Sequence, residues 1–396
     1  MVADPWPHLL SATKKQLHGW PAGKRDCTAE RLLINPYNGC SHDCGFCYAH
    51  AMPGRFATFV QHGVVTVWEG FDRQVASQLD SLLVAACGYL SPVTDPFQPV
   101  DRRYGLSVAV IREFVRRGLP VEFVTKAAVP DEALEAMHGH PHCFGQVSLM
   151  TLDERLHRAL APGAAGPGVL LDNLRRMRQA RLYAVVRVDP VVPGLTDDPD
   201  QLRRLVSAAR DAGAGHVVAS CMDIPLAARK RTLERLALAV PGPDRAAFTR
   251  RIEGLYRERI GASQHAAQGY RRDLFGFLRG VAGEAAMTFA LCMEYAVPRV
   301  GAGAGQETAV TGTRTGLPAG LNQEYATSRN CEGLDVPLYV RGGFDEEFRP
   351  LAGCDGACLW CDREVAAAVC GLPELAGGGA WEIADYRRFG RVRAGV

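Results

Sequence analysis

The sequence predicts an α/β protein whose core is a partial (β/α)6 barrel of TIM-like design, followed by a helical segment and a small cysteine-rich C-terminal domain. Three observations lead there. Short apolar runs alternate with amphipathic, arginine-rich stretches at a spacing of about 30 residues, the period of a strand and its crossover helix. A C-x3-C-x2-C run, Cys40, Cys44 and Cys47, follows directly on the first apolar run. The same spacing returns late in the chain at Cys354, Cys358 and Cys361.

Residues 1–30 are read as an N-terminal extension. Arg31 to Asn35 (RLLIN) is the first strand, and Pro36, Asn38 and Gly39 turn the chain into the first triplet. Further strands are expected at Leu82 to Cys87, Val121 to Thr125, Gln146 to Met150, Ala184 to Val188 and His216 to Ser220. Helices are expected at Gly105 to Arg117, Gly168 to Ala180 and Asp200 to Ala212, which places the barrel core at 31–225. Barrel chemistry is carried at the C-terminal ends of the strands, and the first triplet lies at that mouth. From Pro225 to Arg279 the pattern is helical only, clearest at Thr232 to Val240 and Arg245 to Ile260, so 226–290 forms a helical segment. A short apolar run, Ala285 to Cys292, leads into a C-terminal domain at 291–396. That domain carries a Gly-, Ala- and Thr-rich flexible loop at 300–320 and one strand at Pro337 to Arg341.

Composition narrows the function. A chain of 396 residues buries a core without staples, so its 13 cysteines are not read as a disulfide framework but as metal ligands, redox groups or core thiols in a reducing cytoplasm. The 45 basic and 43 acidic residues nearly cancel, which gives no bulk field for a phosphate backbone and favours a small-molecule substrate over nucleic acid. No signal-peptide apolar region opens the chain and no run of about 18 apolar residues occurs, so no membrane association is expected.

Three closely spaced thiolates hold three irons of a 4Fe-4S cube and leave the fourth iron open, whereas a closed site needs a fourth cysteine. Structural zinc is the competing reading of either triplet, although His42 and His50 do not fit a zinc knuckle. The first triplet has the whole barrel downstream of it and is assigned the catalytic role. The second gains a fourth ligand in Cys331, with Cys292 or Cys370 as alternatives, and becomes an auxiliary cluster. Cys87, Cys143 and Cys221 lie in apolar surroundings and read as small buried hydrophobes.

With Phe46 before Cys47 and Tyr48 after it, the first loop resembles the signature of the radical S-adenosylmethionine (SAM) enzymes. NPYNGCSHDCGFCYA, SPVTDPFQP at Ser91 to Pro99, VSLMTLDERLHRALAP at Val147 to Pro162 and VVRVDPVVPGLTDD at Val185 to Asp198 resemble the branch containing spore photoproduct lyase. The resemblance implies that SAM chelates the open iron. One electron, from an external donor such as flavodoxin or ferredoxin, then yields a 5'-deoxyadenosyl radical that abstracts hydrogen from substrate. The tail, NCEGLDVPLYV and GCDGACLWC, suggests a subgroup with an auxiliary 4Fe-4S cluster serving electron transfer or sulfur donation.

Thr94, Asp95, Ser148 and Arg187 stand near strand ends and are assigned to SAM or substrate. The alternatives are a turn cap for Asp95 and a satisfied core position for Arg187. Phe46 or Tyr48 stacks on the adenine or shields the cube. Cys292 and Glu294 are candidate catalytic groups, Cys292 as a hydrogen-donating thiol, with plain burial as the alternative. The expected substrate is a nucleoside, nucleotide or sugar, in a role such as natural-product biosynthesis. A DNA-lesion lyase and a non-enzymatic iron-sulfur or zinc module are the alternatives. The basic runs Arg229 to Arg231 and Tyr270 to Arg272 read as solvated helix faces.

Overall fold

Alternation of apolar strands with amphipathic helices gives a singly wound parallel sheet in the computed structural model, which describes residues 6–21, 31–52, 54–296, 320–357, 380–384 and 386–387. Its parallel strands are β1 (Arg31–Ile34), β2 (Cys87–Leu90), β3 (Val121–Thr125), β4 (Phe144–Ser148), β5 (Tyr183–Val191), β6 (His216–Cys221) and β7 (Thr288–Leu291). Each pairs with the next in chain order, and β1 and β7 do not meet, so the barrel is open. Among the described residues the sheet has seven parallel strands where the sequence indicated six. The seventh is the apolar run before Cys292, so the sheet continues past residue 225. Residues 300–319 of the expected loop and Cys27, Cys358, Cys361 and Cys370 lie outside the described residues.

The outer face of the sheet is covered by α1 (Phe71–Asp80), α2 (Leu106–Val115), α3 (Asp131–Met137), α4 (Glu154–Leu160), α5 (Pro167–Gln179) and α6 (Pro199–Ala212). After β6 come α7 (Arg229–Ala237), α8 (Arg245–Leu255) and α9 (Gln268–Glu284). The stretch read as helix through Ile260 stops at Leu255, because Gly261 at φ +58° turns Glu258–Ile260 back on Ser263–His265 as a hairpin. Alternate residues face opposite sides of each strand. Leu32, Phe123, Val147, Val186 and Val217 belong to the main core cluster, while Cys87, Phe144, Val185 and Val218 form a separate one. Residues of β2, β4, β5 and β6 share this second cluster because the sheet curves around it. A Cβ on Gly145 of β4 would stand 2.4 Å from the Phe123 ring and 2.7 Å from Met177, so glycine sets how closely α5 seats on the sheet.

The C-terminal segment closes this frame. An open strand edge invites pairing with other chains. Here Asn322 covers the β7 edge by accepting from Leu291 N at 2.7 Å and donating to Leu291 O at 2.6 Å, and Thr327 N donates to Phe289 O at 2.8 Å. The chain then enters the N-terminal end of the barrel, where Val336 joins the inner apolar cluster and the His216 ring reaches Cys331 O at 3.1 Å. Gly333, at φ +79°, leaves only 2.4 Å between a built Cβ and that ring. Further on, Arg341 donates to the carbonyls of Leu79, Asp80 and Leu82 at 3.1, 2.9 and 2.7 Å, capping the C-terminus of α1. No helix among the described residues is long and apolar enough to cross a membrane.

Inside the barrel a buried ion triad ties this segment to β1. Arg31 donates to Glu122 Oε1 at 2.6 Å and to Glu332, and all three are at most 1% exposed. Burial and the neighbouring Glu332 push the Glu122 carboxyl up to about 8 despite Arg31. Arg31→Met strands two buried carboxyls and is expected to cost about 3–5 kcal/mol in urea unfolding at pH 8. The cost should shrink toward pH 5, where the raised Glu122 carboxyl takes up a proton. A loss below about 1 kcal/mol that does not change with pH would show that the triad does not hold the segment in place.

Candidate active site at the barrel mouth

The loop carrying Cys40, Cys44 and Cys47 leaves the C-terminal end of β1 and is gripped from three sides. From below, the SPVTDPFQP turn after β2 supplies Asp95 and Gln98. Asp95 accepts from Phe97 N at 3.0 Å, Thr125 Oγ1 at 2.9 Å and Lys126 N at 2.7 Å, and His42 Nε2 lies 3.0 Å from its Oδ2. Gln98 accepts from Ser41 N at 3.0 Å and donates to Gly39 O at 3.1 Å. From the side, the end of α4 takes Gly45 N onto Leu160 O at 2.8 Å, and Gly163 N donates to His42 O at 3.0 Å. From outside, Arg231 and Arg235 of α7 donate to the Asp43 carboxylate at 2.9 and 2.7 Å, and Arg235 also to Asp43 O at 3.0 Å.

Burial raises the Cys40 and Cys47 thiols above their ordinary pKa and the Cys44 thiol to about 12. Cys44 and Cys47 are among the charges that raise Cys40. The Lys126 ammonium, 5.8 Å from the centre of the Phe46 ring, works against burial at Cys44 and Cys47. Among the described residues no three His, Cys, Asp or Glu side chains form a cradle for a single metal ion. A 4Fe-4S cube asks for a different arrangement, one thiolate per iron. Three soft sulfur donors on one loop suit such a cube. The buried Ser41 and Ser91 hydroxyls, in that loop and after β2, have no protein hydrogen-bond partner, which suits a bound polar ligand.

Across the mouth, β5 and β7 present a second constellation. Arg187 donates to Gln146 Oε1 at 2.8 Å, to Asp189 Oδ2 from Nε at 3.0 Å and to Cys292 Sγ at 2.9 Å. Ser220 donates to the other Asp189 oxygen. Arg187 and the Ser220 hydrogen bond hold Asp189 below the usual carboxylate range despite its burial. Tyr48, next to Cys47, donates to Pro92 O at 2.9 Å. Cys47, Cys292 and Asp189 all add to the effect of burial in raising its phenol. Tyr48 is nevertheless 45% exposed, as expected of a ring lining a concavity.

The residues expected at the site divide accordingly. Phe46, Tyr48, Arg187 and Cys292 gather around the mouth, and Ser148 ends β4 in register with Arg187. Asp95 has its oxygens taken by the turn, by β3 and by His42, and Thr94 donates to Asn35 at 3.4 Å. Glu294 stands apart from Cys292. It accepts from Arg271 at 2.9 Å and from Cys221 N at 2.7 Å, pinning the end of β7 to β6, and burial raises its carboxyl to about 7. Lys126, Asp189 and Ser220 escaped the sequence reading. Each stands at or just past the end of a predicted strand, and Lys126 is one of only five lysines in the chain.

A parallel sheet with a three-cysteine loop at the end of its first strand defines a class of iron-sulfur enzymes that use SAM as a radical source. Residues 34–206 match the family model described as the radical SAM superfamily. The chain is 29% identical over 398 residues to the radical SAM Nalpha-GlyT isomerase of Pseudomonas phage M6, covering 97% of this chain and 78% of that protein. An uncharacterized protein of Mycobacterium tuberculosis is 31% identical over 198 residues, which span 46% of this chain and 56% of the relative. Among solved structures, a single-site mutant of spore photoproduct lyase superposes with a TM-score of 0.54 at 13% identity, covering 72% of this chain and 81% of that one, a likeness of fold alone. These likenesses support a radical SAM superfamily member and an enzyme.

Removing the Asp95 carboxylate leaves the donors of Thr125, Lys126 and Phe97 unpaired in a buried place. Asp95→Ala is expected to cost about 3 kcal/mol or more in unfolding of the apoprotein, and to lower the iron retained through gel filtration. Unchanged stability and iron content would mean that the turn does not hold the loop.

Proposed function

We propose that the chain binds a site-differentiated 4Fe-4S cluster through Cys40, Cys44 and Cys47, and that it rearranges a small polar substrate of the nucleoside, nucleotide or sugar class. The observation that supports this reading is the hydrogen bond from Arg187 to Cys292 Sγ at 2.9 Å, at the same end of the sheet as the three-cysteine loop that leaves β1. When bound, cluster and SAM together supply a radical able to take a hydrogen atom from an unactivated carbon. The chain's own residues do the rest. Lys126 and the Ser41 and Ser91 hydroxyls offer polar contacts to SAM. Asp189, held anionic by Arg187 and Ser220, offers an acceptor to the substrate. Arg187 fixes the Cys292 sulfur at the end of β7, where its S–H bond breaks as a C–H bond forms on the substrate radical. With that hydrogen returned to the Cys292 sulfur within the same site, turnover would need no net oxidant or reductant. The isomerase name of the phage relative supports this redox-neutral balance.

The second cluster is proposed to bind Cys331, Cys354, Cys358 and Cys361 within a C-terminal domain at 291–396. Cross-links between the stretches carrying the first two support it. Asn330 donates to Gly356 O at 3.5 Å, Arg329 pairs with Asp335 and Asp355, and Leu338 N donates to Cys354 Sγ at 3.4 Å. A closed four-cysteine site suits electron transfer or sulfur donation.

Anaerobic reconstitution tests both sites. Cys44→Ala is expected to lose about half of roughly eight irons and all SAM cleavage, and Cys358→Ala to lose about half the iron while keeping some cleavage. Full cleavage in Cys44→Ala would refute the first assignment, and unchanged iron in Cys358→Ala the second. Cys292→Ala is expected to keep SAM cleavage while losing deuterium exchange between labelled 5'-deoxyadenosine and product. Retained exchange would remove the thiol from the reaction.

A further inference from the structure

Gln146 is a neutral amide on β4, wholly buried at a position where an apolar side chain would fill the space without needing partners. Burying an amide is unfavourable unless its two ends are hydrogen-bonded. Both ends are. Its Nε2 donates to Glu122 Oε2 at 2.8 Å, and its Oε1 accepts from Arg187 Nη1 at 2.8 Å. Chemistry dictates that orientation, because Arg187 has only donors to offer, while the Glu122 carboxylate, whose other oxygen accepts from Arg31 at 2.6 Å, accepts again. The sheet register sets the spacing. Glu122 stands level with Phe144, Gln146 with Val124 and Val185, and Arg187 with Ser148, so the three polar side chains climb one alternate position from each strand to the next.

Arg187 stands at the top of this stair, and its donors lie in one rigid plane. Nε and Nη2 both donate to the same oxygen, Asp189 Oδ2, while Nη1 goes to Gln146 and Nη2 also reaches Cys292 Sγ at 2.9 Å. Two bonds to one oxygen make a pivot. The bond to Gln146, on another corner of the guanidinium, is the second fixed point that sets where Nη2 aims. The Cys292 backbone is held separately, by its N–H on Ala219 O at 2.9 Å. We infer that Gln146 is a positioning residue, which keeps the Arg187 guanidinium aimed at the Cys292 sulfur and off the Glu122 carboxylate. The inference rests on the reading that the Cys292 thiol acts at the mouth. A neutral amide suits this task better than a charged side chain. A carboxylate at 146 would meet Glu122 as a like charge, and a cation there would repel Arg187. An apolar side chain would leave the buried anion and the flexible arginine with nothing between them, and their attraction away from water would draw Arg187 from the sulfur.

The test is a double-mutant cycle on the anaerobically reconstituted holoenzyme. Its probe is the rate at which iodoacetamide alkylates Cys292, read on the Cys292 peptide by mass spectrometry. Alkylation proceeds through the small thiolate fraction, which an N–H donated to sulfur favours. Arg187→Met and Gln146→Met are each expected to slow it about tenfold, the scale of a hydrogen bond from a charged donor. The double variant is expected to be no slower than Arg187→Met alone, because both remove the same contact. Gln146→Asn, one methylene short of spanning Glu122 and Arg187, keeps a polar group in the barrel and is expected to match Gln146→Met, so the test survives if the Met variant does not fold. Wild-type alkylation in the folded Gln146 variants, even with a lowered urea midpoint, would overturn the inference and leave Gln146 a purely structural residue. So would slowing that multiplies with that of Arg187→Met. If Cys292→Ala retains deuterium exchange, the reading of the thiol as a reactant fails instead, and the cycle still reports whether Gln146 sets the contact between Arg187 and Cys292.

Discussion

The interaction on which the rest depends is the set of hydrogen bonds that Asp95 accepts beneath the cluster loop from Phe97 N, Thr125 Oγ1 and Lys126 N. A loop proposed to present three sulfurs to one cube cannot rely on its own short backbone for rigidity, since loops without packed neighbours open readily. Here one carboxylate gathers the first residues after β3 and the turn after β2, and reaches the histidine between Cys40 and Cys44. The loop thereby inherits the stiffness of the parallel sheet. Because each strand delivers its last residues to the same end of the barrel, the groups that face the loop, Lys126 after β3, Arg187 and Asp189 on β5 and Cys292 after β7, are placed by the sheet as well.

Polar residues inside the barrel follow a graded logic. Toward the N-terminal end the Arg31, Glu122 and Glu332 triad is sealed from solvent and serves to bind the C-terminal segment. At the C-terminal end the Arg187, Asp189, Ser220 and Cys292 group is partly open. Gln146 joins the two, donating to Glu122 at 2.8 Å and accepting from Arg187. A continuous run of hydrogen bonds thus links Glu332 of the C-terminal segment to the mouth.

Much of this was readable from the sequence, for identifiable reasons. The strand and helix alternation is periodic and survives translation into structure, so β3, α5 and α6 fall within a residue or two of their expected places. The cysteine spacing is local chemistry, and it marked the loop. What stayed hidden depends on distant pairing. Arg31 looks like the first residue of an apolar strand until Glu332, 301 residues away, meets it inside the barrel. β7 was an apolar run with no visible partner because its neighbour β6 lies beyond three intervening helices. Asp95 and Glu294 have the composition of active-site carboxylates, and only their hydrogen-bond partners show that both staple strand ends. Lys126 and Asp189 sit at strand ends without a motif, and their orientation toward the loop comes from the curvature of the sheet.

The central claim is that the first cysteine loop holds a cluster with one iron open to SAM. Electron paramagnetic resonance of the reduced Cys358→Ala protein, recorded with and without SAM, tests it most directly because only the first cluster should contribute. The account predicts a reduced 4Fe-4S signal whose g-values shift when SAM is added, as they must if the cofactor ligates an iron of that cluster. A signal indifferent to saturating SAM would contradict it.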